Sequence, residues 1–125
     1  MKPSQTLLVL LLAGLFSSIA FGQKKELTYK EDVAPVVKKY CLPCHSSENE
    51  DNSSELILDS YETLKEGGKH GDAVIAGKPK ESNMYIKLLA DPPFGRQMPR
   101  GRGPKPEEND IKLIYQWIEQ GAKKE

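Results

Sequence analysis

The sequence predicts a small domain built from helices, and its two ends carry this prediction. Thr28 to Glu31 has the form of a helix capping box, and the apolar residues after it recur at helical spacing. Pro106 opens a second pattern, whose apolar side chains form one stripe along a helix. We therefore expect a helix at each end, with shorter helices and loops between them.

The first helix is predicted from about Tyr29 to Tyr40. Thr28 is its N-cap, and Glu31 is expected to reach back to the backbone N–H of Thr28. The apolar face comprises Val33, Val36, Val37 and Tyr40. Pro35 fits this helix only if the helix begins late or if Pro35 lies in its first turn.

The middle of the chain predicts loops and two short helices. Ser46 to Ser54 contains no apolar residue and indicates a surface loop. Asp59 to Glu62 is a second capping pattern, which opens a helix that ends at Gly67-Gly68. Another short helix is expected from Glu81 to Ala90. Pro or Gly occupies eight of the 15 positions from Pro92 to Pro106, so that stretch predicts a constrained, irregular loop.

The last helix is predicted to start at Pro106, a favourable first-turn residue. Glu107 and Glu108 suit the positive end of the helix dipole, and Gly121 ends the helix. Its apolar stripe comprises Ile111, Leu113, Ile114, Tyr115, Trp117 and Ile118. We expect Tyr40, Tyr115 and Trp117 to pack in the core or to line a cofactor pocket.

The first 22 residues have the parts of a secretory signal peptide. Lys2 gives the positive start, Leu7 to Phe16 are apolar, and Ala20 and Gly22 frame a cleavage site. A ten-residue apolar run is too short to cross a bilayer, which needs about 20 residues. We therefore expect residues 23–125 to form one periplasmic domain with no retained transmembrane anchor.

Composition narrows the function classes. The chain has 18 basic and 18 acidic residues, and loss of Lys2 with the signal leaves 17 and 18, a net charge of −1. This near-neutral charge argues against a nucleic-acid binder, which needs a basic field. Only 38% of the residues are apolar, so the core needs a supplement such as a disulfide, a metal or a cofactor.

Both cysteines of the chain fall in Cys41-Leu42-Pro43-Cys44-His45, the C-x-x-C-H pattern of covalent haem attachment. Residues three apart share one face of a helical turn, so two thiols at this spacing reach the two vinyl groups of one porphyrin. His45 follows directly and can bind the iron. The predicted export also fits, since bacteria attach haem covalently outside the cytoplasm.

Three other interpretations compete for these cysteines. Cys41 and Cys44 could form a disulfide, although no βαβ pattern of a thioredoxin-like redox protein surrounds them. They could bind zinc together with His70, but no fourth ligand is evident, because His45 is too close to Cys44 to be positioned freely. They could also be plain core residues. Haem is favoured, because a buried porphyrin supplies the apolar core that the composition lacks.

An ordered set of motifs accompanies the cysteines. It comprises Cys41-x-x-Cys44-His45, Gly67-Gly68 with Gly71, Gly77-x-Pro79-x-x-Ser82, Met98-Pro99 and Trp117-Ile118-x-x-Gly121-Ala122. With these motifs the chain resembles the class I cytochromes c, most closely the planctomycete-type cytochrome c domain. The resemblance implies an all-α domain wrapped around one covalent haem c, with its first and last helices crossing near the haem. It also implies a distal methionine followed by proline, which corresponds to Met98.

The iron ligands expected are therefore His45 on the proximal side and Met98 on the distal side. Met84 lies in a helical apolar pattern and is expected in the core. His70 lies in a polar turn and is expected to face solvent, although ligation by two histidines, with His70 in place of Met98, stays open.

With both iron faces closed, the site suits one-electron transfer rather than catalysis. We expect a monomeric periplasmic electron carrier that exchanges electrons with protein partners, free or as a subunit of a larger oxidoreductase. The alternative is a ligand-binding haem sensor or catalytic haem protein with an open distal site. Basic residues cluster around Met98, where they could pair with haem propionates, dock an acidic partner or simply be solvated: Arg96, Arg100, Arg102 and Lys105.

Overall fold

The computed structural model describes Gly22 and residues 24–125, which form four α-helices and two irregular helical turns. In chain order these are a wide π-helical turn Tyr29–Val33, α1 Ala34–Tyr40, α2 Tyr61–Glu66, a 3₁₀ turn Pro79–Glu81, α3 Asn83–Ile86 and α4 Glu108–Glu119. Within these residues there is no β-strand, only one isolated bridge between Gly68 and Gly71. The all-α prediction is confirmed. The predicted signal peptide, apart from Gly22, lies outside the described residues.

The first predicted helix is observed, but its first turn is wider than an α-helix. The backbone N–H of Val33 donates to the Thr28 carbonyl, five residues earlier, at 3.3 Å. Pro35 lies in the first turn of α1, where its missing N–H costs no helical bond. The capping prediction was half wrong: Thr28 Oγ1 accepts from the N–H of Glu31, but Asp32, not Glu31, accepts from the N–H of Thr28, at 2.9 Å. The wide turn brings the fourth residue, instead of the third, back to the cap.

The helix predicted from Glu81 to Ala90 is much shorter, since α3 covers only Asn83–Ile86. Beyond it, Leu88 and Leu89 bond to carbonyls only three residues back, which is the tighter geometry of a fraying end. The carbonyls of Lys87 and Leu88 bond instead to Met98 and Gln97 of the following loop. Pro92 has no N–H with which to continue the helix.

The two other predicted helices are close to expectation. The capping pattern predicted at Asp59 to Glu62 lies one residue later, since Ser60 caps α2 through a capping box with Thr63, while Asp59 accepts from the N–H of Ser47 at 3.1 Å. Gly67 ends α2 at φ +74°, a conformation suited to glycine. The last helix begins at Glu108 rather than Pro106, because Asp110 accepts from the backbone N–H of Glu107 at 3.1 Å and makes Glu107 the cap.

The core lies between α4 and the wide turn at the start of the chain's first helix. Trp117 is fully buried, its ring centroid 5.9 Å from that of Tyr29, and its indole N–H donates to the carbonyl of Lys123 at 2.9 Å. The largest side chains that are fully buried are Val33, Val37, Leu64, Ser82, Ile114, Trp117 and Ile118. This core fixes the end of α1, and with it the residues that follow Tyr40.

Candidate functional site

Cys41, Cys44 and His45 share one turn directly after α1. The N–H groups of Cys44 and His45 both donate to the carbonyl of Cys41, at 3.1 and 3.0 Å, which closes the turn. Helical geometry of this kind places residues three apart on one side of the chain. The structure therefore places Cys41, Cys44 and His45 on one backbone turn, as the spacing predicts.

The two thiols form no disulfide and differ in environment. Cys41 is half-buried and Cys44 is exposed. Burial, followed by the nearby Cys44, raises the pKa of the Cys41 thiol to about 11. The zinc alternative is not supported, since no group of three His, Cys, Asp or Glu side chains in the described part of the chain is placed to hold a metal ion, and His70 is exposed.

The ring of His45 is half-buried and held through one nitrogen. Its Nδ1 lies 3.2 Å from the carbonyl oxygen of Leu56. A carbonyl only accepts, so Nδ1 carries the proton and the neutral ring keeps the Nε2 lone pair free. Burial, followed by the charge of Arg100, lowers the pKa of His45 and favours this neutral form. A neutral imidazole with a free Nε2 is the form that binds iron.

Met98 lies half-buried in the loop between α3 and α4, which we call the methionine loop (residues 92–106). Its backbone N–H donates to the carbonyl of Lys87 at 2.7 Å. The Lys87 ammonium in turn donates to the carbonyl of Phe94 and lies 4.5 Å from the centre of the Phe94 ring. Arg100, two residues beyond Met98, is close enough to lower the pKa of both His45 and Lys87. The part of the methionine loop around Arg100 is thus near enough to His45 for the Arg100 charge to act on the His45 ring.

The competing ligand candidates lie where the sequence predicts them. Met84 is half-buried and packs against the core. His70 is exposed, and its ring packs against Phe94 with 5.2 Å between the ring centres. Tyr40 and Trp117 are buried in the core, while Tyr115 is half-buried and pairs with Tyr85 at 5.0 Å.

Several partners of the site could not be identified from the sequence. Asn52 and Ser54, in the stretch predicted only as a surface loop, contact the Leu56 carbonyl and the His45 ring, and Lys87 holds the methionine loop. The one available indication was the abundance of Asn and Ser, which often bond nearby backbone.

The donor set fits a covalently attached haem. Two thiols without a disulfide lie three residues apart, followed by a neutral imidazole with a free nitrogen. Together with the all-α fold, this is the arrangement expected of a haem-binding cytochrome c.

Residues 41–100 match the family model described as Planctomycete cytochrome C, which is the family that the motifs of the sequence resemble. No curated protein and no solved structure matches the chain. The match indicates a haem-binding cytochrome. In the described part of the chain, no helix has the length and apolar character needed to cross a membrane.

Proposed function

We propose that this protein is a periplasmic monohaem cytochrome that carries one electron at a time between partner proteins. Cys41 and Cys44 would hold the porphyrin through thioether bonds, and His45 and Met98 would bind the iron from its two sides. The bound haem supplies a one-electron change between ferric and ferrous iron. The observation that carries this proposal is His45, whose Nδ1 contact with the Leu56 carbonyl leaves Nε2 free as a ligand.

Each proposed ligand has a defined task. His45 stays neutral and oriented because its Nδ1–H is bonded, as is usual for metal-binding histidines. Met98 is kept in place by a loop whose prolines and Lys87 contacts restrict its movement. With Met98 bound, the distal side is closed to substrates, and a thioether ligand raises the reduction potential relative to a second histidine.

The test is the purified protein from periplasmic expression. The intact chain should carry the mass of one haem, and Cys44→Ala should retain a single thioether, visible in the haemochrome spectrum. The ferric protein should show the weak sulfur-to-iron charge-transfer band. Met98→Ala should abolish this band, while the matched control Met84→Leu should keep it. A colourless protein with two thiols open to alkylation would refute the proposal.

A second candidate function is a haem sensor or catalytic haem protein with a labile distal ligand. It is favoured by the exposure of the methionine loop, in which Arg96 and Arg100 are exposed and Met98 is only half-buried. Ready binding of carbon monoxide to the ferrous protein, together with a missing charge-transfer band in the wild type, would select it.

The charge distribution supports an acidic redox partner. The methionine loop exposes four basic side chains, whereas residues 48–62 contain six acidic and no basic ones. Charge complementarity mainly speeds encounter and fixes orientation. Arg102→Ser should therefore slow electron transfer with an acidic redox protein at low salt, and this loss should disappear at high salt. Lys65→Ser on α2, with the same charge change, is the control.

A further inference from the structure

The carbonyl of Leu56 accepts from two side chains. Asn52 Nδ2 lies 2.8 Å from its oxygen, and His45 Nδ1 lies 3.2 Å from the same oxygen. The Asn52 contact is the shorter one and has ordinary hydrogen-bond length, whereas the His45 contact is long. Asn52 therefore competes with His45 for the acceptor, which weakens the hold of the carbonyl on the Nδ1 proton.

The hydroxyl of Ser54 adds a second acceptor for His45. It donates to Asn52 Oδ1 at 2.7 Å, so its one proton is directed away from the histidine. Its oxygen lone pairs are left for His45 Nδ1 at 3.3 Å and for the N–H of Leu56 at 3.4 Å. The Nδ1 proton is thus shared between two weak acceptors, the Leu56 carbonyl and the Ser54 hydroxyl.

The backbone holds this cluster against His45. The carbonyl of Ser54 accepts from the N–H of Lys69 at 2.8 Å. A Cβ on Gly68 would lie 2.8 Å from that carbonyl oxygen, so only glycine allows the approach. The N–H of Leu58 donates to the His45 carbonyl at 2.7 Å. Residues 52–58 are therefore fixed both to the histidine itself and to the turn after α2.

We propose that Asn52 and Ser54 are positioning residues that fix the Nδ1–H tautomer of His45 and tune, in opposite directions, its strength as an iron ligand. A stronger acceptor at Nδ1 makes imidazole a stronger donor, which favours ferric iron and lowers the reduction potential. Ser54 supplies acceptor strength, and Asn52 withdraws it from the Leu56 carbonyl. This inference rests on the proposed role of His45 as a haem ligand.

The experiment compares the reduction potentials of two variants of the haem-loaded protein, because the two residues should shift the potential in opposite directions. Ser54→Ala should raise the equilibrium constant for reduction about threefold, and Asn52→Ala should lower it about threefold. A threefold change in this equilibrium constant corresponds to a shift of about 30 mV in the reduction potential, since a tenfold change corresponds to about 59 mV for one electron. Ser54→Thr keeps the hydroxyl and should restore the wild-type potential, and the exposed neighbour change Ser53→Ala should leave it unmoved.

A direct readout is the NMR resonance of the His45 Nδ1 proton in the ferrous protein. It should move upfield in Ser54→Ala and downfield in Asn52→Ala, following the strength of the remaining hydrogen bond. A purely structural role of the loop would admit water in both variants and lower both potentials together. That result, or two unchanged potentials, would overturn the inference. If His45 were not a ligand, the wild-type protein itself would lack a haem-shifted His45 resonance, so the two failures are distinguishable.

Discussion

Replacing Lys87 by methionine should loosen the methionine loop and weaken the hold of Met98 on the iron. The Lys87 ammonium donates to the Phe94 carbonyl and lies 4.5 Å from the centre of the Phe94 ring. A hydrogen bond from a charged group contributes about 1.5–3 kcal/mol, and an exposed cation–π contact contributes about 0.5–1 kcal/mol. Burial and the charge of Arg100 lower the pKa of Lys87, which disfavours its charged form. We therefore take the lower end of each of the two ranges. We expect a loss of about 2 kcal/mol, which is about 30-fold in the equilibrium for loop opening.

The assay is a titration of the ferric protein with imidazole, which competes with Met98 for the iron. Imidazole can bind the iron only when the loop is open. Since the loop of Lys87→Met opens about 2 kcal/mol more easily, the apparent affinity of this variant for imidazole should rise about 30-fold. Lys80→Met removes the same charge from an exposed position on the 3₁₀ turn and serves as the control. Met98→Ala, which needs no opening, sets the upper limit. A change below about threefold in Lys87→Met, or an equal change in Lys80→Met, would refute the reasoning.

Three further predictions concern the fold that holds the site. Trp117→Phe should lower the free energy of unfolding by about 2 kcal/mol, through the lost indole bond to Lys123 and the lost buried surface, and urea unfolding should show an unchanged slope. Asp32→Asn should destabilise the protein at neutral pH. The hydrogen bonds from Lys25 and from the Thr28 N–H lower the pKa of Asp32 below its ordinary value of 3.8. The stability that the Asp32 carboxylate contributes is therefore fully present above pH 3.8 and is lost as the pH falls through the pKa of the folded protein. The two stability curves should therefore converge in acid; parallel curves would contradict the assignment. Ser82→Ala should cost about 2 kcal/mol in the same urea assay, because its buried hydroxyl serves the backbone of the 75–78 loop, and a cost below about 0.5 kcal/mol would be inconsistent with that role.

The sequence predicts the elements whose determinants are local. The end of α2 at Gly67 and the apolar stripe of α4 both follow from residues within a few positions of one another. The cysteine motif likewise predicts that Cys41, Cys44 and His45 share a turn. The family that the motifs resemble is confirmed for residues 41–100.

The remaining features of the site could not be predicted from the sequence, because they depend on backbone groups. Every residue has these groups, so they leave no pattern in the sequence. The Leu56 carbonyl that faces His45, and the Lys87 carbonyl that bonds Met98, would look the same with other side chains at those positions. The shortened α3 follows from the same diversion of carbonyls into the methionine loop. Ligation by Met98 and the signal peptide of residues 1–22 stay predictions.

The two ends of the described domain are bonded to each other. The N–H of Tyr29 donates to the carbonyl of Lys123 at 2.8 Å, and that of Lys30 donates to the carbonyl of Lys124 at 3.1 Å. Tyr61 also donates to the Ala122 carbonyl, at 2.9 Å. Neighbouring ends make a domain easy to insert within another polypeptide, since the host needs to span only a short gap. A tether attached on either flank would therefore leave from the same corner of the molecule, which Tyr29 and Lys123 share.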